Sequence, residues 1–520
     1  MRLLIRVDGD GRIGGGHVMR CLTLAEGAHA LGHHVHFVMV DAPDTMAGRV
    51  RAAGYELTAL PEIAHNPAEA PAHAGWLRLP PAEDARLSAK AAQTVSPDWI
   101  VLDHYGLDAD WVATLRGAHP QARVLAIDDL DDRALAADLL LDQARLDPEP
   151  YRHPPLATLR GPAYALLRPE FAELREAALA RRDGAITRVL IAPGMMDAAG
   201  LAPMCLRLLA AEFPDLQAEV VMGSTSQSVE ATRALVAAHP QFSLTLDAGD
   251  MAARMAQADL CIGAGGMTSW ERCCLGLPTL AVAVADNQRK GVAQLAARGA
   301  VVPLSLEEAR DPATLAEALR QAIGSAAPLS HAATTICDGT GRDRVLGALS
   351  GAFRPLRADD ATRLFEWRNQ PRIRAISLTQ DPLVWETHEA WVARTAARQD
   401  GLWRIYSENG CDIGFAGASI DSDGVARWSF YIGAEDAPEG AGGRMMSAFL
   451  RGLAVRPDVK SIRAEVLSEN AASVRLHERL GFARDPAQST PAVLAFTRDP
   501  WDVRARLRLP TPPDSALRKD

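Results

Sequence analysis

The chain lacks a basic excess: 55 lysines and arginines stand against 65 aspartates and glutamates, a formal net charge of −10. Nucleic-acid binders carry a basic face, so that class is set aside. Small anionic ligands remain open, because backbone amides and a few local arginines suffice to hold phosphate. Cysteine is scarce as well, seven residues with no CxxC pair. An odd, small count in a long chain argues against a disulfide framework and for a reducing compartment. Long apolar runs are missing. The longest, such as Thr279–Ala285, are strand-sized and too short to cross a bilayer. The apolar part of the opening MRLLIRVDGDG is too short for a signal-peptide core. No group has metal-ligand spacing; His33, His34 and His36 fit an exposed turn leading into a strand. The expectation is a cytoplasmic protein with no metal, nucleic-acid or membrane partner, and a monomer by default.

What is present is a globular composition, 48% hydrophobic and 23% charged over 520 residues. That length is too great for one core and suggests about three domains of roughly 150 residues each. Leu3–Val7, His34–Val40, Trp99–Tyr105 and Arg123–Asp129 are short apolar runs separated by helical patterns. Strands alternating with helices imply right-handed crossovers and a parallel sheet. The pattern restarts near Arg188 with RVLIAPG, AEVVMGS, ADLCIGAGG and PTLAVAVAD. The fold class expected is α/β, with two doubly wound, Rossmann-like units over residues 1–155 and 156–345. Their ligands should lie outside the carboxyl ends of the strands, in a shared cleft. After Gly351–Thr362 tryptophans cluster and the strands become short and alternating, so a third, α+β domain is expected over 352–505.

Arg6–Ala25, RVDGDGRIGGGHVMRCLTLA, runs from a strand end through Gly9, Gly11, Gly14, Gly15 and Gly16 into a helix that opens at His17. Such a loop lets backbone approach a phosphate or a sugar. At the first turn the helix dipole favours the uncharged imidazole, so His17 can serve as a general base. The bland alternative is a histidine that packs against the loop. Arg20 lies one turn on. Asp8 either orients a sugar hydroxyl or His17, or caps the loop. A second loop, GAGGMTSWE (Gly263–Glu271), follows a strand and opens another helix. The N–H groups of Gly265, Gly266 and Met267 are expected to face a pyrophosphate, with the Thr268 hydroxyl beside them. Glu271 is placed to accept from ribose hydroxyls, or is a plain surface charge. Asn287 and Gln288 follow the strand TLAVAVAD and should reach the sugar or the pyrophosphate. The family resemblance that these loops carry implies that Val220–Ser226 lines a uridine pocket.

These segments resemble the UDP-sugar hydrolases of the pseudaminic acid pathway, which are related to the glycosyltransferase-B fold of the lipid II GlcNAc transferase. Further matches in order are LDHYGLD (Leu102–Asp108), AIDDLDDR (Ala126–Arg133), LLDQ (Leu140–Gln143), GPAYALLRPEF (Gly161–Phe171), ADNQ (Ala285–Gln288) and DGTGRDRV (Asp338–Val345). The resemblance covers nearly all of residues 1–345 and adds Tyr105 to the substrate-binding set. It implies metal-independent hydrolysis at the anomeric carbon: His17 takes a proton from water, the water attacks, UDP leaves, and the configuration inverts. One departure is APGMMD at Ala192–Asp197, where Met195 replaces one of the paired glycines of the resemblance and leaves the role of Asp197 open.

In the third domain, Gly440–Arg444 opens a helix with apolar positions at Met445, Met446, Phe449 and Leu450. Gly440, Gly442, Gly443 and Arg444 are therefore candidates for a pyrophosphate cradle. NAASVRLHERLGF (Asn470–Phe482) follows a further strand. The pair resembles the GCN5-related acetyltransferase superfamily over about residues 353–500, with acetyl-CoA as co-substrate. The resemblance implies that backbone N–H near Phe430, Tyr431 and Ile432 polarises the thioester. It puts His477 where a proton donor to the departing thiolate is often tyrosine; ordinary helix packing is the alternative. Asn470 and Ser473 serve either coenzyme A or the helix start. The fusion implies that the acetyl acceptor is the 4-amine of a UDP-amino sugar. Three other readings share these residues: a glycosyltransferase with a sugar acceptor, a non-catalytic nucleotide-sugar-binding module, and a protein acetyltransferase.

Overall fold

The computed structural model describes residues 1–66, 73–182 and 184–508, without the side chain of Asn287. Seven strands form the first sheet: β1 (Arg2–Val7), β2 (His34–Val40), β3 (Glu56–Leu60), β4 (Trp99–Asp103), β5 (Arg123–Ile127), β6 (Leu139–Asp142) and β7 (Ala157–Arg160). The order is β3-β2-β1-β4-β5-β6-β7, parallel throughout. Strands buried on both faces need no polar alternation. Leu3, Ile5 and Val7 accordingly join one core with Phe37 and Leu24, while Leu4 joins another with Val38, Ile100 and Leu102. Because β7 pairs with β6, the first sheet runs past the boundary expected at residue 155.

The second sheet holds β8 (Arg188–Ala192), β9 (Gln217–Met222), β10 (Phe242–Leu246), β11 (Leu260–Ala264), β12 (Thr279–Ala283) and β13 (Val302–Ser305), in the order β10-β9-β8-β11-β12-β13. It too is parallel and covered on both faces, by Ile191, Val220 and Ile262 on one side and Leu190, Val221 and Cys261 on the other. The chain then returns. Leu346 and Leu349, on the helix Gly341–Leu349, are buried against Val18 and Leu24 of the first unit. The second unit therefore does not keep all of residues 156–345; the end of that span belongs to the first core.

The third sheet is mixed: β14 (Ala352–Pro355), β15 (Gly401–Glu408), β16 (Cys411–Ile420), β17 (Val425–Ile432), β18 (Ser461–Leu467), β19 (Ala483–Arg484) and β20 (Val493–Arg498). Its one parallel pair, β17 with β18, is joined only across Val425–Arg427 and Ser461–Arg463. Beyond Arg427 the two strands part, which leaves Phe430, Tyr431 and Ile432 beside an opening. This domain docks on the amino ends of the first sheet. Arg451 donates to the carbonyls of Pro120 and Ala122, and Ser447 to that of Leu156. A cavity of about 70 Å³ at this junction is lined by Trp99, Arg123, Asp138, Tyr406, Arg444 and Arg451, at the far end of the strands from His17.

Candidate functional site

The first glycine loop is braced by its own residues. Asp10 accepts from the N–H groups of Arg12 (2.7 Å) and Ile13 (2.9 Å) and from the Arg78 guanidinium (2.7 Å). Gly14 closes the turn at φ +82°, a left-handed conformation that glycine adopts without a Cβ penalty. The helix Gly16–Ala30 then presents His17 at the carboxyl end of β1. In this sheet β1 lies between β2 and β4, the point where strand order reverses and a crevice opens.

Sequence reasoning missed the residue that organises this site, Asp103. It ends β4, and its register partner is Val7 at the end of β1. His17 Nδ1 lies 2.6 Å from Asp103 Oδ1. Arg20 donates to both oxygens of the same carboxylate, Nε to Oδ2 at 2.6 Å and Nη2 to Oδ1 at 2.5 Å. Burial alone would raise the Asp103 carboxyl, but Arg20 and then His17 hold it well below the usual carboxylate range. An ionised Asp103 accepts the Nδ1 proton of His17 and leaves Nε2 as the basic atom. Nε2 has no protein partner among the described residues. Tyr105 meets the imidazole edge-on at 4.7 Å and Trp76 at 6.0 Å, and these two rings stack on each other at 5.5 Å. The one legible signal for Asp103 was a carboxylate closing a strand of a parallel sheet. Trp76 stands at no motif.

Several expected contacts are corrected here. Arg20 is buried and engaged with Asp103, so it positions the histidine's partner rather than meeting substrate. Asp8 is also buried; it accepts from Val40 N–H (2.9 Å) and the Arg6 guanidinium (2.7 Å), so it ties strands together and does not touch His17. The Tyr105 hydroxyl donates to Asp129 at 2.5 Å, which leaves its ring as the face toward His17.

The second glycine loop follows β11, beside the reversal point of the second sheet. Gly265 N–H donates to Val282 O at 3.0 Å, which removes it from the expected phosphate donors. The N–H groups of Gly266 and Met267 have no backbone acceptor among the described residues. Thr268 Oγ1 accepts from Arg272 Nη1 at 3.3 Å. Glu271 is half-buried without a side-chain hydrogen bond among the described residues; burial raises its carboxyl against the pull of Arg168 and Arg272. Gln288 accepts from Val284 N–H, and its Nε2 lies 3.9 Å from where a Cβ on Gly266 would stand. The side chain of Asn287 lies outside the described residues. Asp197 caps the helix Leu201–Glu212, accepting from Leu201 N–H (2.8 Å) and the Ser228 hydroxyl (2.5 Å), so its role is local. In the Val220–Ser226 stretch, Ser226 Oγ donates to Met196 O at 2.8 Å, which packs this loop against the Met195–Met196 turn.

The two loops meet. A Cβ on Gly16 would lie 3.9 Å from Met267 Cγ, and one on Gly15 would lie 3.4 Å from Met195 Sδ. Gln143 Nε2 reaches Met267 Sδ at 3.2 Å. The loop that carries His17 thus comes up to the loop that carries the N–H groups of Gly266 and Met267, where the two units meet.

In the third domain, Gly440 at φ +76° starts the helix Ala441–Ala454, and Gly442 and Gly443 occupy its first turn, where N–H groups have no intrahelical acceptor. Arg444 is corrected: both its Nε and Nη2 bind Glu408 at 2.8 Å, so it is spent inside the domain. Arg479 instead reaches this loop, with Nη2 2.9 Å from a Cβ position on Gly443, and it forms no ion pair among the described residues. His477 is corrected too. Its Nδ1 donates to Ser473 O at 2.8 Å, its Nε2 accepts from Trp428 Nε1 at 3.1 Å, and Phe482 and Phe496 enclose the ring. Burial lowers its pKa. It is a satisfied core histidine, not a proton donor. Asn470 caps the helix Ala471–Arg479, accepting from Ser473 N–H at 3.1 Å.

Two parallel α/β units closing on one gap, joined to a mixed sheet that splays beside a glycine-started helix, define a two-part protein. Residues 352–483 match the acetyltransferase (GNAT) domain family. The chain is 31% identical over 201 residues to the spore coat polysaccharide biosynthesis protein SpsG of Bacillus subtilis (strain 168), a match covering 37% of this chain and 58% of that protein. It is 22% identical over 511 residues to the uncharacterized protein MJ1062 of Methanocaldococcus jannaschii, covering 93% and 97% of the two chains. Among solved structures, Acinetobacter baumannii MurG aligns at 17% identity and a TM-score of 0.45, over 66% of this chain and 97% of that one. Residues 352–483 thus match a GNAT acetyltransferase domain, and 201 residues of the chain are similar to a spore coat polysaccharide biosynthesis protein, of which they span 58%.

Proposed function

We propose that the first two units hydrolyse a UDP-linked 2,4-diacetamido-2,4,6-trideoxy-L-altrose. Before that step the third domain acetylates the 4-amine of the preceding UDP-amino sugar from acetyl-CoA, in pseudaminic acid synthesis in the cytoplasm. The observation that carries the reading is His17 fixed through Nδ1 by Asp103 (2.6 Å), next to Gly16, whose Cβ position lies 3.9 Å from Met267 of the second glycine loop. His17 Nε2 accepts a proton from water as the water oxygen bonds to C1 of the sugar. The C1–O bond to UDP breaks, and its electron pair leaves with the diphosphate, held by the N–H groups of the second glycine loop. Direct displacement inverts C1. Trp76 and Tyr105 supply an apolar wall suited to the deoxygenated face of such a sugar. In the third domain the amine attacks the thioester carbonyl, the C–S bond breaks, and coenzyme A takes a proton as it leaves. In this reading Gly442, Gly443 and Arg479 hold its phosphates. The similarity to a polysaccharide-biosynthesis protein and the GNAT match support the pairing of sugar chemistry with acetyl transfer.

The test is incubation of the full chain with acetyl-CoA and UDP-2-acetamido-4-amino-2,4,6-trideoxyaltrose, followed by mass spectrometry. The expected products are coenzyme A, UDP and a free diacetamido reducing sugar. Transfer of the sugar to an added acceptor in place of water, or of labelled acetyl to protein, would replace this reading with a glycosyltransferase or a protein acetyltransferase.

A further inference from the structure

Arg272 is the least explained buried charge near the gap. Its side chain is 1% exposed, and no carboxylate lies within ion-pair distance among the described residues. Nη2 donates to Ala264 O (2.8 Å) and Ser269 Oγ (2.9 Å), Nη1 to Thr268 Oγ1 (3.3 Å), and Nε has no partner. All three acceptors lie in or beside the second glycine loop. The loop is shaped around this cation: a Cβ on Gly263 would fall 2.2 Å from Nη1, so only glycine lets the guanidinium pass beneath. Burying a cation with no carboxylate in ion-pair contact is unfavourable, and a purely structural clamp would be better served by a neutral side chain of similar size. A unit charge fixed in a dry site projects its field through one hydroxyl onto whatever the loop faces.

Building on the nucleotide reading above, we infer that Arg272 is a positioning residue that tunes the second glycine loop for the diphosphate. It touches no ligand atom. It holds Thr268 and the Ala264 carbonyl in place from behind and supplies the positive charge that a nucleoside diphosphate neutralises. It should therefore set the preference for UDP over uridine.

Calorimetric titration of the full chain with UDP and, separately, with uridine tests this. In Arg272→Met, UDP affinity is expected to fall by about tenfold or more while uridine affinity changes by less than about twofold. Arg272→Lys, which keeps the charge, should recover most of the loss. Equal weakening of both ligands, or unchanged UDP binding in Arg272→Met, overturns the inference. If Arg272→Met does not fold, Gly263→Ala, which displaces the guanidinium without removing it, should lower the UDP-to-uridine preference in the same direction; an unchanged preference overturns the inference. A wild-type chain that binds neither ligand overturns the nucleotide reading itself, an outcome distinct from failure of the arginine variants alone.

Discussion

At the scale of the residue, Asp103 makes a testable claim about His17. Asp103→Asn keeps the shape of the side chain but offers an amide N–H or a neutral oxygen to Nδ1, so it no longer fixes the tautomer with Nε2 free. Hydrolysis is expected to fall by about 10²–10⁴-fold, as for loss of a general base, and His17→Ala by a similar factor. UDP binding, measured by titration, should stay within about twofold in both, because neither residue lies on the second glycine loop. A loss of UDP affinity comparable to the loss of turnover would contradict this division of labour. A second carboxylate at the end of a strand behaves in the opposite sense. Burial pushes Asp142 up to about 7 from its ordinary 3.8, against the Tyr151 hydroxyl that donates to it at 3.2 Å. The folded state then holds a proton that the unfolded state gives up. This contribution to stability is complete below pH 3.8, declines as pH rises, and is gone above about 7. Asp142→Asn should flatten the pH dependence of the melting temperature between pH 4 and 8 and raise it at the alkaline end. An unaltered profile would show that Asp142 is ionised in the fold.

At the scale of the element, the helix Gly341–Leu349 is the return strap that ties the end of the second unit to the first. Leu346 is 3% exposed and packs on the helix Gly16–Ala30, against Gly27, where a Cβ would come within 2.7 Å of it. Leu346→Ala leaves a cavity in that core and is expected to cost about 2–5 kcal/mol in chemical unfolding. A cost below about 1 kcal/mol would mean that the strap is peripheral. The helices themselves were legible: apolar periodicity and a glycine loop placed the starts near His17, Thr268 and Ala441. The partners they met were not. His477 sits in a segment whose pattern fits an acetyltransferase helix, yet its ring turns into Trp428, Phe482 and Phe496. Helical spacing gives a side chain's face, whereas the identity of the opposing surface comes from strands distant in the chain.

At the scale of the whole molecule, the third domain and the His17 gap occupy opposite ends of one sheet. Trp99 opens β4 at the domain junction and Asp103 closes it at the gap, four residues and roughly 13 Å away at about 3.3 Å per residue. For the proposed reaction order, the expected route of the acetylated intermediate from the third domain to His17 is through solvent. With labelled 4-amino substrate and an unlabelled pool of the acetylated UDP-sugar, the free sugar should carry label diluted in proportion to that pool. Undiluted label would show a protected route.

Sequence alone determined the three-part α/β and α+β organisation, the two glycine loops at strand–helix junctions and the histidine beside the first, because these depend on local periodicity and on backbone that only glycine permits. Tertiary structure decided which carboxylate holds His17, why Asp8, Arg20 and Arg444 are spent on internal partners, and that a lone arginine lies beneath the second loop. Those are pairings between residues tens of positions apart, or burials by distant elements, and their energies exist only once the sheets have formed.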